Sequence, residues 1–294
     1  MTQGSWRKLF IAATVLMVIS IILCGNFWQQ LNNTRAQLDE TRIQLDDTIA
    51  RLNAIELKME SLEDEQDLMN SYTNLREQIN LRLGIGQDSQ RFITPDEPEI
   101  SAKVQEIAGD YSEETLWKGY ASLFRWMIRD IKYSADSPIP LLPESINGTL
   151  DWGRDFWRLP TETIRDGAGD CEDMALLLTS MLLNYNQRNF PAWIIGVRSF
   201  DSIPKAHIAI IIPIADKQLA ILDVAGRYHT PFTDLGGFGC QDIPLAIAHW
   251  LNHLELYFEK GLANAQIYMV FSEDFYQEFS NTQEFVDWIY QLSI

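Results

Sequence analysis

From Leu9 to Gly25 the chain runs 17 residues without a charge (LFIAATVLMVISIILCG), and a seven-residue repeat begins just behind that run. No single globule accommodates both features. Phe27 and Trp28 extend the apolar run to a length that crosses a bilayer, so residues 9–28 are expected to be a transmembrane helix. Arg7 and Lys8 precede it, and the positive-inside bias then puts residues 1–8 in the cytoplasm and everything after residue 28 outside. A cleaved signal peptide is the rival reading. Leu23-Cys24-Gly25-Asn26-Phe27 lacks a small-x-small cleavage site, and bulky Leu23 argues against lipidation of Cys24.

Leu31, Leu38, Leu45 and Leu52 recur every seven residues, and Ile55, Met59, Leu62 and Met69 continue the seam. Thr34, Thr41 and Thr48 hold the second seam position and weaken it. The expectation is a coiled-coil stalk over residues 29–85, on the order of 80 Å long if helical throughout. It would make the protein a homo-oligomer of unspecified number; a lone charged helix is the plainer alternative. Gly84, Gly86, Pro95 and Pro98 mark residues 86–98 as a linker, leaving residues 99–294 as the head.

Composition narrows the function. With 23 Lys+Arg against 41 Asp+Glu the net charge is −18, which excludes nucleic acid as a partner because phosphate recognition needs clustered cations. Three cysteines, Cys24, Cys171 and Cys240, are too few for a disulfide scaffold.

In the head, Leu116, Tyr120, Leu123, Phe124, Met127 and Ile131 predict a helix from Glu113 to Tyr133, with Ser112 as N-cap. A second helix starts at Asp170 or Cys171, with Met174, Leu177, Leu178, Met181, Leu182 and Tyr185 on its apolar face. Short β-rich runs follow at 192–197, 207–212, 219–224 and 267–271, so the fold class is α+β.

The chemistry gathers on Cys171, His207 and Asp223. A cysteine at a helix N-terminus faces free N–H groups and the positive dipole end, which favour the thiolate and could hold an oxyanion. Asp170, Glu172 and Asp173 oppose this, because negative charge raises a thiol pKa. A hairpin centred on Ala215 would set His207 directly opposite Asp223, on one face of the sheet. The assembled logic is thiolate attack on a carbonyl, with His207 as base and then acid, and Asp223 orienting the imidazole.

The segment Phe156-Trp157-Arg158-Leu159-Pro160-Thr161-Glu162-Thr163, with Gly167-Ala168-Gly169-Asp170-Cys171-Glu172-Asp173-Met174-Ala175 behind it, resembles the cysteine motif of the transglutaminase-like superfamily, in its microbial cysteine peptidase form. Ala206-His207-Ile208-Ala209 and Ile221-Leu222-Asp223-Val224 resemble the histidine and aspartate motifs, in the family's chain order. The helix ending Trp126-Met127-Ile128-Arg129-Asp130-Ile131-Lys132-Tyr133 is similar to the one that precedes them. The resemblance spans roughly residues 113 to 225. It implies a papain-like core, a Cys-bearing helix packed on an antiparallel sheet, with Cys171 as nucleophile, His207 as base and Asp223 as orienting acid. It also implies peptide or amide hydrolysis, or transfer of a glutaminyl acyl group to an amine. Where many members carry an aromatic soon after the histidine, this chain has Ile208-Ala209-Ile210. Trp152 and Trp157 are both open as an oxyanion side chain, and the Cys171 backbone N–H is the one named donor.

Other motifs carry less. Cys240 reads as a loop thiol, and the glycines before it lack a phosphate loop's Lys-Ser/Thr ending. His249 and His253 share a helix face without the glutamate of a zinc protease motif. No metal and no cofactor is expected. Asn147-Gly148-Thr149 and Asn32-Asn33-Thr34 match the glycosylation acceptor. The expected function is a membrane-anchored cysteine peptidase or amidase acting on an extracytoplasmic protein or peptide. The alternatives are an inactive protein-binding head on an oligomeric stalk and a protein-glutamine amine transferase.

Overall fold

The computed structural model describes residues 28, 31–52, 65–84, 86–200, 205–231, 238–258 and 262–292. Two compact units divide the chain, Met1–Asn74 and Leu75–Ile294. In the first, residues 31–52 form a helix, α1, and α2 (Glu65–Leu81) begins. Thr41 and Thr48 each donate their hydroxyl to the carbonyl four residues back, at 2.8 and 2.7 Å, which lets them sit mid-helix. The heptad leucines are exposed on this single chain, Leu38 at 68%. Among the described residues no helix is long and apolar enough to cross a membrane; residues 9–27 of the expected span lie outside them.

The second unit is α+β. Its helices are α3 (Pro98–Ala108), α4 (Leu116–Asp130), α5 (Pro160–Asp166), α6 (Cys171–Tyr185), α7 (Ile243–Tyr257) and α8 (Thr282–Gln291). Its main strands are β5 (Trp193–Arg198), β6 (Ala206–Ile214), β7 (Gln218–Asp223), β8 (Tyr228–His229), β9 (Gln241–Asp242), β10 (Gln266–Phe271) and β11 (Tyr276–Glu278). They pair antiparallel in the order β11-β10-β5-β6-β7-β8, with β9 also on β7. Two small pairs lie apart: β1 (Lys132–Tyr133) runs parallel to β4 (Ala168–Gly169), and β2 (Ile139–Leu141) antiparallel to β3 (Asp151–Gly153).

The period of two in each strand splits its side chains between two cores. Ile208, Ile210, Ala220 and Leu222 pack with α3, α4 and α6, whereas Ala209, Ile211, Leu219 and Ile221 pack with α7 and α8. The central strands are buried on both faces, and so they read as apolar runs rather than as alternation.

Two expectations need correction. Residues 86–98 are packed structure rather than linker: a short 3₁₀ helix (Gly86–Phe92) buries Ser89 and Phe92, and the Phe92 ring meets Trp157 edge-on at 5.7 Å. The end of the expected stalk is tied into the head as well. Arg82 makes a two-pronged bond to Glu162 at 2.6 and 2.9 Å and its carbonyl accepts Trp157 N–H, while Gly84 at φ 60° sits where a Cβ would lie 2.1 Å from the Trp157 ring. The second correction concerns register. The β6–β7 hairpin turns one residue later than Ala215, at Asp216 and Lys217, both in the left-handed region, and pairs Ile210 with Leu222. His207 is therefore diagonal to Asp223 rather than opposite it. Two residues of offset preserve parity, so both side chains still lie on the α7 face.

Candidate active site

Asp223 ends β7 with its side chain fully buried. Its Oδ2 meets His207 Nε2 at 2.8 Å and accepts Trp250 Nε1–H at 2.9 Å, while Oδ1 accepts the Gly226 N–H at 2.7 Å. Burial pushes this carboxyl up, but the imidazole and the two donors outweigh it and hold the group below its usual value. Gly226 is required here: a Cβ at that position would lie 2.5 Å from Asp223 Oδ2. His207 is 2% exposed, with its ring 5.0 Å from Phe258 and 6.5 Å from Trp250. The Asp223 bond occupies Nε2 and leaves Nδ1 as the working nitrogen.

Cys171 is the first residue of α6, with Asp170 at the N-cap. The β6–β7 ladder pairs no residue before Ile210, so the strand edge at Ile208, next to His207, is not taken up by β7. The Cys171 thiol hydrogen donates to Glu172 Oε2 at 3.1 Å, and among the described residues Sγ makes no hydrogen bond to the imidazole. Burial pushes the thiol pKa well up, Glu172 and Asp170 push it further, and the Ile208 N–H pulls the other way.

Those acids form a cluster. One carboxylate oxygen each from Asp136, Asp155, Asp170 and Glu172 lies within 4.8 Å of the others. Burial raises Asp136 to about 6 and Asp170 to about 7, and it raises Glu172 well above the carboxylate range. Asp170 Oδ1 and Glu172 Oε1 are buried without a hydrogen-bond partner. Four hard oxygen donors, two of them unsatisfied, fit a divalent cation such as Ca²⁺. The nearby cation of the chain is Arg158, which pairs with Asp173 Oδ2 and, at 3.0 Å, with Asp136 Oδ1; its backbone N–H also donates to Asp173 Oδ1 at 2.8 Å.

The remaining sequence candidates separate. Trp157 is core, 3% exposed and stacked on Phe271, whereas Trp152 is exposed on β3. Cys240 lies in the loop before β9 and is buried as part of the core cluster. His249 bonds Gln241 Oε1 at 2.9 Å and His253 bonds the Gly226 carbonyl at 2.8 Å, so the two serve different partners. Trp250 was not singled out by sequence, and Arg158 stood there only as one residue of the cysteine motif, without a role. Trp250 follows Ile243 and Ile247 on the apolar face of α7, a pattern that signals core and hides the polar handle.

Several solved structures resemble the fold. A candidate cysteine protease from Cytophaga hutchinsonii aligns at 14% identity and a TM-score of 0.32, over 65% of this chain and 50% of that one. This chain thus spans half the length of that protein. LapG of Legionella pneumophila aligns at 16% identity and TM-score 0.33, over 65% of this chain and 92% of LapG. Its calcium-bound form aligns at 16% and 0.32, over 60% and 87%. No curated protein matches the chain. The model of the DUF553 family, described as a transglutaminase-like domain, matches residues 102–249. That match covers half of the sequence, and the chain belongs to this transglutaminase-like family.

Proposed function

We propose that this protein is a membrane-anchored thiol acyl-transfer enzyme, a cysteine peptidase or amidase acting on an extracytoplasmic polypeptide through Cys171, His207 and Asp223. The observation that carries it is the buried His207–Asp223 pair at 2.8 Å together with Cys171 at the N-terminus of α6, whose Met174 lines one pocket with Val224 and with Phe258, the ring beside His207. In this reading His207 Nδ1 removes the thiol proton and Sγ adds to the scissile carbonyl. The Cys171 backbone N–H, at the open end of α6, bonds the developing oxyanion. The carbon–nitrogen bond then breaks, the leaving amine takes the proton from His207, and water deprotonated by the same imidazole releases the acid. An amine in place of water would give the transferase outcome. Asp223, ionised and thrice bonded, keeps the imidazole in one tautomer and stabilises its cation.

A divalent cation on Asp136, Asp155, Asp170 and Glu172 would place positive charge beside Sγ and favour the thiolate. The second reading, a binding head without turnover, draws on the Cys171–Glu172 bond and the raised thiol. The anchor at residues 9–28 and self-association along the exposed heptad leucines complete the proposal: a stalked homo-oligomer with its head outside the cell membrane.

The test is the alkylation rate of each thiol in the full-length chain against pH, resolved by peptide mass spectrometry, with Ca²⁺ or with chelator. The enzyme reading expects Cys171 to react quickly below the ordinary thiol pKa of about 8.5. It expects His207→Ala to slow the reaction and Cys240→Ala to leave it unchanged. A Cys171 rate that ignores His207 under both conditions favours the binding head.

A further inference from the structure

We propose that the pocket beside Cys171, His207 and Asp223 selects the substrate: it takes one bulky apolar side chain near the scissile carbonyl, while Arg227 at its mouth pairs with a carboxylate on the adjacent residue. This rests on the acyl-transfer reading above and adds a substrate class to it.

The pocket measures about 250 Å³, and its walls follow from the reactive groups themselves. Met174 lies one helical turn past Cys171, Val224 follows Asp223, and Phe258 has its ring 5.0 Å from His207. Tyr133 pairs in β1 with Gly169, two residues before the cysteine, and Ile131 closes the cavity from the end of α4. A side chain lodged there would hold its own backbone at the thiol. An apolar cavity of about 150 Å³ holds a benzene ring, so this one holds a leucyl or phenylalanyl side chain with room to spare.

Charge sets the second element. Arg227 is exposed, lines the pocket and has no ion-pair partner among the described residues of a chain whose net charge is −18. Its turn is fixed rather than loose: Arg227 N–H donates to the Val224 carbonyl at 3.2 Å, Gly226 N–H to Asp223, and His253 to the Gly226 carbonyl. Beside Cys171 the chain presents the acids Asp170 and Glu172 rather than a free cation, so an acidic substrate residue finds its partner toward Arg227.

The experiment labels the full-length chain with thiol-directed dipeptidyl fluoromethyl ketones, acetyl-Asp-Leu, acetyl-Asp-Ala and acetyl-Lys-Leu, with iodoacetamide as a side-chain-blind control. The Asp-Leu probe should modify Cys171 about tenfold faster than either of the others. Ala225→Phe, which fills the pocket, should erase the leucyl advantage, and Arg227→Glu should reverse the preference for Asp over Lys, each read as a ratio of probe rates to the iodoacetamide rate of the same variant, with far-UV circular dichroism to check the fold. Equal leucyl and alanyl rates on a Cys171 whose iodoacetamide reaction depends on His207 would overturn the pocket and leave the chemistry standing. Should that dependence on His207 be missing, the chemistry fails instead. Fluorescence anisotropy of a labelled Asp-Leu peptide on Cys171→Ala then decides the pocket: binding abolished by Ala225→Phe supports it, and no binding overturns it.

Discussion

Replacing Trp250 by Phe removes one N–H from a site where every donor faces a buried charge. Trp250 is fully buried, and its Nε1 donates at 2.9 Å to the Asp223 oxygen that also binds His207. A hydrogen bond to a charged group contributes about 1.5–3 kcal/mol, and trimming the indole to a phenyl leaves a small cavity costing about 1 kcal/mol more. The expected loss is about 2.5–4 kcal/mol at neutral pH. The two parts differ in pH dependence. Asp223 has its carboxyl held below the usual value, so its stabilisation is present above the unfolded pKa of about 4 and is lost as pH falls through the folded one. In acid, where the carboxyl is neutral, only the cavity cost of about 1 kcal/mol should remain. Urea unfolding of the full-length chain, followed by near-UV circular dichroism from about pH 7 down through the acid range in which Asp223 itself titrates, reads both numbers. A deficit that stays the same size after Asp223 has taken up its proton would show that Trp250 acts by packing alone, and the assignment of Trp250 as the residue that fixes Asp223 would be abandoned.

Other perturbations reach the acidic side of the site. Glu172→Gln removes the carboxyl that accepts the Cys171 thiol and helps hold its pKa up, so the midpoint of the alkylation pH profile should fall; an unchanged midpoint would mean that Glu172 does not set it. Asp136 and Asp170, raised to about 6 and about 7, confer stability that is lost as pH rises through those values. Melting temperature in chelator should therefore drop between about pH 5 and about pH 8, and Ca²⁺ should restore it at the higher value. Arg158→Ala strands Asp173 and Asp136 without their cation and should cost about 3–5 kcal/mol in denaturant unfolding, with Arg158→Lys recovering part of it. Leu38→Lys with Leu45→Lys should reduce the sedimenting mass of the full-length chain to that of a monomer if the heptads drive self-association.

Much of the head was legible because the informative residues are apolar and periodic. The helix expected to start at Asp170 or Cys171 is Cys171–Tyr185, and the strands expected at 192–197, 207–212, 219–224 and 267–271 are Trp193–Arg198, Ala206–Ile214, Gln218–Asp223 and Gln266–Phe271. The helix at Glu113 begins as a 3₁₀ turn and becomes α-helical at Leu116, and Ser112 makes no side-chain cap. The hairpin shows why a register error can be harmless. Placing the turn at Ala215 misjudged which residues would adopt left-handed backbone, yet the shift moved the partners by two and kept His207 and Asp223 on one face.

What sequence hid were pairings that exist only once distant segments meet. Arg158 lies in a motif already singled out, but nothing in its neighbours says that it will pair with Asp136, 22 residues earlier, and Asp173, 15 residues later. The acids flanking Cys171 were visible as an obstacle to a thiolate; that Asp136 and Asp155 would join them is a consequence of the β1–β4 pairing and the loop before α5. Arg158 bonds Asp136 and Asp173 and reaches Asp170 only through space, so the rest of the charge beside the sulfur is left to protons or to a bound cation. A cysteine at a helix N-terminus is consequently not reactive by position alone here: the dipole and the Ile208 N–H favour the thiolate, burial and two acids oppose it, and the balance turns on the state of the four carboxylates.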